Sequence, residues 1–168
     1  MRRIFFEYMA TLIKSTMSIA IREARTTDIQ AVAEMFDLYR QFYEQPPDLP
    51  LAQQFIADRL NNCESVILLA ESASSGMLGF CQLYPSFCSV EAKPIYLLYD
   101  LFVLPVARKA GVGRLLLLAA ENKAAAEGKT RMDLTTARSN QPAQSLYESL
   151  SWERDEIFFA YNRRVTLS

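Results

Sequence analysis

Residues 95–127 read IYLLYDLFVLPVARKAGVGRLLLLAAENKAAAE, and this stretch decides the fold. Ile95 to Val103 is aromatic, branched and almost uncharged, the composition of a strand buried on both faces. Pro105 ends it. Gly111 and Gly113 then lead into Leu115, Leu116, Ala119 and Ala120, apolar residues at helical spacing, and Ala124 to Glu127 continue with good helix formers. The order is strand, basic glycine-containing turn, helix.

The first turn of a helix leaves backbone N–H groups without partners and carries partial positive charge, so it attracts an anion. Here Arg108, Lys109 and Arg114 add cationic donors, and Gly111 and Gly113, which flank Val112 and follow Ala110, hold no Cβ against a phosphate. A pyrophosphate is the expected occupant. A nucleotide-hydrolysing loop would follow its last glycine with Lys-Ser/Thr, where this chain has Arg114-Leu115, and a dinucleotide fold would place a third glycine where Leu116 stands. Neither pattern fits.

Further on, Arg131 to Thr136 reads as another strand, followed by Asn140-Gln-Pro-Ala143-Gln-Ser-Leu146-Tyr147-Glu-Ser-Leu150-Ser-Trp152. Asn140 is a suitable N-cap, Pro142 is tolerated in a first helical turn, and Ala143, Leu146 and Leu150 form an apolar stripe with Tyr147 beside it. Arg108-x-x-Gly111-x-Gly113 after a strand ending Val-Leu-Pro, joined to Asn140-x-x-Ala143-x-x-Leu146-Tyr147, resembles the GNAT superfamily of acetyl-coenzyme A dependent N-acetyltransferases. The resemblance extends over residues 18–168. It departs at Ser151, where the family usually has glycine.

The resemblance implies acetyl-CoA as cosubstrate, no metal, and direct attack of an amine on the thioester. It implies that backbone N–H groups around Phe102 and Val103 hold the carbonyl, that the residues from Arg108 to Arg114 and Asn140 contact the coenzyme, and that Tyr147 contacts it and is the general acid. A phenol with a pKa of roughly 10 can hand a proton to a nascent thiolate. Asp100 is the candidate base, because a carboxylate inside YLLYDLFVL is costly unless it is paired, bonded to backbone amides at a bulge, or functional; Glu71 and a water chain are other routes. Gly79 to Phe87 followed by the central strand is also similar to the spermidine/spermine acetyltransferase group, but Tyr99 stands where that group has a glutamate. A small primary amine is therefore the expected acceptor rather than a polyamine in particular. The alternatives are a protein N-terminal or lysine acetyltransferase and a non-catalytic CoA-binding module. A homodimer is a family-level expectation.

Composition agrees with one domain having a real core: 168 residues, 51% of them hydrophobic. A formal net charge of −1 gives no field for nucleic acid, and the absence of histidine removes imidazole bases and most zinc sites. Cys63, Cys81 and Cys88 lack metal-like spacing, so a cytoplasmic, reducing compartment and a packing role are expected. Residues 1–17 are too short and too charged to span a membrane, lack a convincing cleavage site, and read as an appended arm or an upstream start, with an amphipathic surface helix as the functional alternative.

From Ser18 to Ala24 a first strand is expected, then a capping box at Thr27 to Gln30 opening a helix with Ile29, Val32, Phe36 and Tyr39 on one face. Pro46-Pro47 break it before a second helix near Leu51 to Asn61. Tyr39, Phe42 and Tyr43, with Glu44, Asp48, Tyr84 and Tyr99, are the candidate acceptor-binding residues, since ring faces and carboxylates hold a cationic amine. Ser65 to Glu71 and Met77 to Tyr84 form a hairpin about Ser72 to Gly76, Pro85 to Pro94 a loop, and Glu156 to Asn162 with Arg164 to Leu167 the last strands. The expected fold is a single mixed α/β domain with about four helices and a mostly antiparallel sheet, splayed between its fourth and fifth strands.

Overall fold

The computed structural model describes residues 18–166; the extension expected at residues 1–17 lies outside them. The chain enters on β1 (Ile19–Glu23) and passes through a 3-10 turn, Thr26–Asp28, into α1 (Ile29–Phe42). The cap differs from the expected box: Asp28 Oδ2 accepts from the Arg25 N–H at 2.7 Å, while Gln30 Nε2 donates to Glu34. Then come α2 (Leu49–Asn61), β2 (Val66–Ser72), β3 (Gly76–Cys88), β4 (Lys93–Val103), α3 (Val112–Ala126), β5 (Met132–Asp133) and α4 (Gln141–Glu148).

The five strands form one sheet in the order β1-β2-β3-β4-β5, antiparallel except for the parallel β4–β5 pair. The expected 85–94 loop shrinks to a turn at 89–92, with Pro85 to Cys88 extending β3 and Lys93-Pro94 opening β4: Pro85 lies opposite Tyr96 and Phe87 opposite Pro94. Pro85 stands beyond Leu83, the last β3 residue paired with β2, where a missing N–H removes no ladder bond on that side.

One face of the sheet carries the cluster of Val32, Phe36, Ile56, Ile67, Leu69, Phe80 and Phe102 under α1 and α2. On the other, Leu116, Leu117, Ala120 and Ala124 of α3 are buried, and the Cys81 thiol points at the Leu116 carbonyl. Burial pushes that thiol up to about 12, so Cys81 packs, as expected; Cys63 is exposed.

β4 pairs with β5 only at Tyr96 and Leu97, opposite Met132 and Asp133. Beyond Leu97 no described strand covers that edge of β4, so the sheet is splayed as expected. The register jump places the extra residue at Tyr99: Leu98 pairs with Leu83 and Asp100 with Gln82. A bulge bends its strand, and β5 ends where the bend begins.

Contact density divides the chain after Thr135, and the second unit starts at Thr136. Within it, Asn140 Oδ1 caps α4 through the Ala143 N–H at 3.4 Å, and Ser151 takes a φ of +62° where the helix ends. Residues 152–166 contain no strand, contrary to expectation. Asp155 Oδ1 instead accepts from the N–H groups of Ile157 and Phe158, at 2.8 and 2.9 Å, and this local turn competes with a ladder.

Candidate active site

Strict alternation along β4 would send Tyr99 and Asp100 to opposite faces. The bulge puts both into one cavity under α1 and α2, together with Leu97. Their exposures differ: Tyr99 is 71% exposed inside a strand expected to be buried on both faces, while Asp100 is 5% exposed.

The cavity, about 580 Å³, brings together Tyr39, Tyr43, Tyr84, Tyr99 and Asp100. Tyr39 meets Tyr43 edge-on at 5.1 Å between ring centres, and Tyr84 meets Tyr99 edge-on at 5.9 Å. Phe42 does not line it. Phe36, Arg40, Gln45, Phe55 and Arg59 do, and none was singled out in the sequence as an acceptor-binding residue. The available signal was Arg59 four residues after Phe55, which shares its helix face and holds its guanidinium 4.6 Å from the ring centre.

Burial pushes the Asp100 carboxyl up to about 6, and a hydrogen bond from Tyr39 opposes the shift. Burial first, then the neighbouring carboxylate, raises the Tyr39 and Tyr84 phenols well above their ordinary value, so both remain donors. Opposite Asp100, the fully buried Gln82 donates through Nε2 to Ser65 Oγ at 2.8 Å and to the Tyr84 hydroxyl at 2.7 Å. Its Oε1 has no donor among the described residues. Glu71 is held by Arg22 at 2.8 Å, in a network with Asp28, and is not on the cavity wall. Asp48 caps α2 through the Leu51 N–H and gives its own N–H to Asp37.

The open edge of β4 lies next to Asp100. Leu104 N–H donates to Leu78 O at 2.9 Å, and in an antiparallel ladder the direction alternates from there. Phe102 therefore turns its backbone polar groups toward β3, and Leu101 and Val103 turn theirs outward.

After β4 the chain makes a short turn with Lys109 at φ +62° and Gly111 at φ +84° before α3 begins at Val112. A Cβ at Gly111 would meet nothing within 4 Å, so the glycine serves backbone conformation and leaves the approach open. Val112, Gly113 and Arg114 occupy the first helical turn, whose N–H groups lack intrahelical acceptors. Lys109, Ala110 and Arg114 are exposed. Arg108 turns back: its Nε donates to Val103 O at 3.0 Å, and its guanidinium carbon lies 5.4 Å from the Phe42 ring centre and 6.0 Å from that of Phe102. It braces turn against strand. Asn140 and Tyr147 belong to the second unit, where Asn140 is the helix cap and the Tyr147 ring packs 5.9 Å from Trp152.

The model of the acetyltransferase (GNAT) family matches residues 30–152. The chain belongs to the GNAT acetyltransferase family. It is 48% identical over 141 residues, 84% of this chain and 94% of the relative, to the uncharacterized N-acetyltransferase YhfO of Bacillus subtilis. A crystal structure of a probable acetyltransferase, 34% identical, superposes with a TM-score of 0.82 over 89% of this chain and 99% of that one. The aminoglycoside N-acetyltransferase AAC(6')-Iy, solved in complex with CoA, shares the fold at a TM-score of 0.73 and 20% identity over 89% of this chain and 97% of that one. As a GNAT acetyltransferase the protein uses acetyl-CoA. The basic turn, the uncapped first turn of α3 and the outward amides of β4 fit such a cosubstrate. Among the described residues no helix is long and apolar enough to cross a membrane, and no group of three or more His, Cys, Asp or Glu is placed to hold a metal.

Proposed function

We propose that this acetyltransferase moves the acetyl group directly to the primary amine of a small molecule bound in the aromatic cavity, with Asp100 as base. The observation that carries this reading is a carboxylate with a pKa near 6 at the wall of a cavity about 580 Å³ in volume, beside a strand edge that no described strand covers. Acetyl-CoA supplies the activated acetyl thioester. The residues from Arg108 to Arg114 hold its diphosphate, by helix-terminal N–H groups and cationic side chains. The outward N–H of Leu101 or Val103 steadies the negative charge that grows on the thioester oxygen.

Asp100 accepts the proton that the ammonium must lose before its nitrogen can attack. A base near pKa 6 is largely ionised at neutral pH and still takes a proton when an amine is held against it. As the new C–N bond forms the C–S bond breaks, and Tyr147 gives its proton to the departing sulfur; the second proton that the nitrogen sheds on becoming an amide restores the Tyr147 phenol through solvent, and Asp100 releases its own proton to water. The role of Tyr147 rests on its place in the family motif. The ring faces of Tyr39, Tyr43, Tyr84 and Tyr99 receive the cationic head and the body of the acceptor.

The test is thiol release from acetyl-CoA over a panel of primary amines. Asp100→Asn should lower kcat/KM by about 10²–10⁴, and Tyr147→Phe should lower kcat far more than it raises the KM for acetyl-CoA. Unchanged turnover in either variant removes that residue's role. Acetylation of protein N-termini or lysines alone, with no small amine accepted, overturns the reading.

A further inference from the structure

Three charged side chains reach the cavity wall, and two of them are arginines. Arg40 uses Nη1 to hold Asp37 at 3.2 Å, and Arg59 uses Nε to hold Glu64 at 2.6 Å. A guanidinium has five N–H donors, and neither makes another hydrogen bond among the described residues. Their acidic partners are set back from the cavity. Asp37 is buried and already accepts from Gln41 Nε2 and the Asp48 N–H, both at 2.9 Å, so it anchors Arg40 and is not open to a ligand. Glu64 is absent from the wall. The packing of Arg59 on the Phe55 ring orients its fork as well.

A polycation is a poor match for this lining. Every ammonium beyond the first would leave water for an apolar wall or approach a guanidinium, and the lone carboxylate is needed for the first. An amine that also carries an anion fits it at two points: its nitrogen at Asp100, and its carboxylate or phosphate against N–H donors of Arg40 and Arg59 as charge-assisted bonds.

We infer that the acceptor is amino-acid-like, with one primary amine, one anionic group and an apolar body between or beside them. This rests on the proposed transfer to a small amine in this cavity and narrows its substrate class. Aminoglycosides and polyamines are the wrong class.

The experiment measures kcat/KM for matched pairs at fixed acetyl-CoA: phenethylamine against phenylalanine, propylamine against 3-aminopropylphosphonate, with spermidine and kanamycin alongside. The acid-bearing member of at least one pair should exceed its partner tenfold or more, and which pair does so separates carboxylate from phosphate-type recognition. Arg40→Gln or Arg59→Gln should shrink that ratio at least fivefold, through the KM of the acid-bearing amine. Equal rates within both pairs in the unaltered protein, a preference for spermidine or kanamycin, or a ratio that both folded variants leave unchanged overturns the inference while leaving transfer to amines intact. Thiol release with none of the amines overturns both.

Discussion

Asp100 separates a catalytic carboxylate from a structural one by the sign of its effect on stability. Its folded-state pKa of about 6 lies above the ordinary 3.8, so between those values the folded chain holds more protons than the unfolded chain. The favourable contribution is complete below about pH 4, where the carboxyl is neutral in both states. It is lost as pH rises through about 6, because the folded protein must then bury an ionised group. The groups sharing its cavity are Tyr39 and Arg40 from α1, Tyr43 just after that helix, Arg59 from α2, Tyr84 from β3 and Tyr99 from β4. Asp100→Asn stays neutral and keeps an acceptor for the Tyr39 hydroxyl. It should match the parent in stability near pH 4 and exceed it by about 1–3 kcal/mol at pH 7.5, as read by urea unfolding at both pH values. The same substitution should abolish the acidic limb near pH 6 in kcat/KM. A variant less stable at pH 7.5 would make Asp100 a structural anion. The lone acid in YLLYDLFVL was legible because hydrophobic neighbours make its cost visible. Arg40 and Arg59 were not, since each belongs to a helix whose own pattern is complete without the cavity.

At the scale of elements, strand, turn and helix from Ile95 onward were legible because residue chemistry changes sharply at Pro105 and Gly111. The extent of β3 was hidden by Pro85 and Pro94, which look like breakers until the neighbouring strand's length is known. The Tyr99 bulge was hidden as well, since an apolar run has no alternation to interrupt. The last strands failed for the converse reason: 156–162 has strand composition, but Asp155 captures its first amides. Ser151, flagged as a departure from glycine, does adopt the left-handed backbone that glycine favours. The β3–β4 pair supplies its own test at Gly79, opposite Val103. A Cβ there would lie 2.5 Å from the Phe102 carbonyl oxygen and 3.1 Å from Val103 Cα, both backbone atoms of the strand that presents the outward amides. Gly79→Ala should destabilise by about 1–3 kcal/mol and raise the KM for acetyl-CoA, measured by thermal unfolding and initial rates. An unchanged KM would mean that the end of β4 can move without consequence for the cosubstrate.

For the molecule as a whole, 18 basic and 19 acidic side chains nearly cancel, so no long-range field draws in a polyanionic cosubstrate. On the proposed reading its attraction comes from the exposed turn after β4, where Arg108, Lys109 and Arg114 flank the start of α3 in the chain. Surface charges of that kind are screened: the Debye length falls from about 10 Å at 0.1 M salt to about 3 Å at 1 M. Amides at a helix terminus and the β4 edge, making short hydrogen bonds, are screened much less. Acetyl-CoA at a hundred times its Kd should stabilise the folded chain by about 2.7 kcal/mol, a rise in Tm of about 5–10 °C for a chain of this size. Repeating the titration in 1 M salt at the same ligand concentration should shrink that rise without removing it, and Arg108→Ala should lower it at both salt concentrations because the turn loses its brace on Val103 O. A rise indifferent to salt would take the diphosphate off the basic turn. One abolished by salt would assign all the affinity to side-chain charge and none to the backbone amides that the strand-turn-helix order exposes.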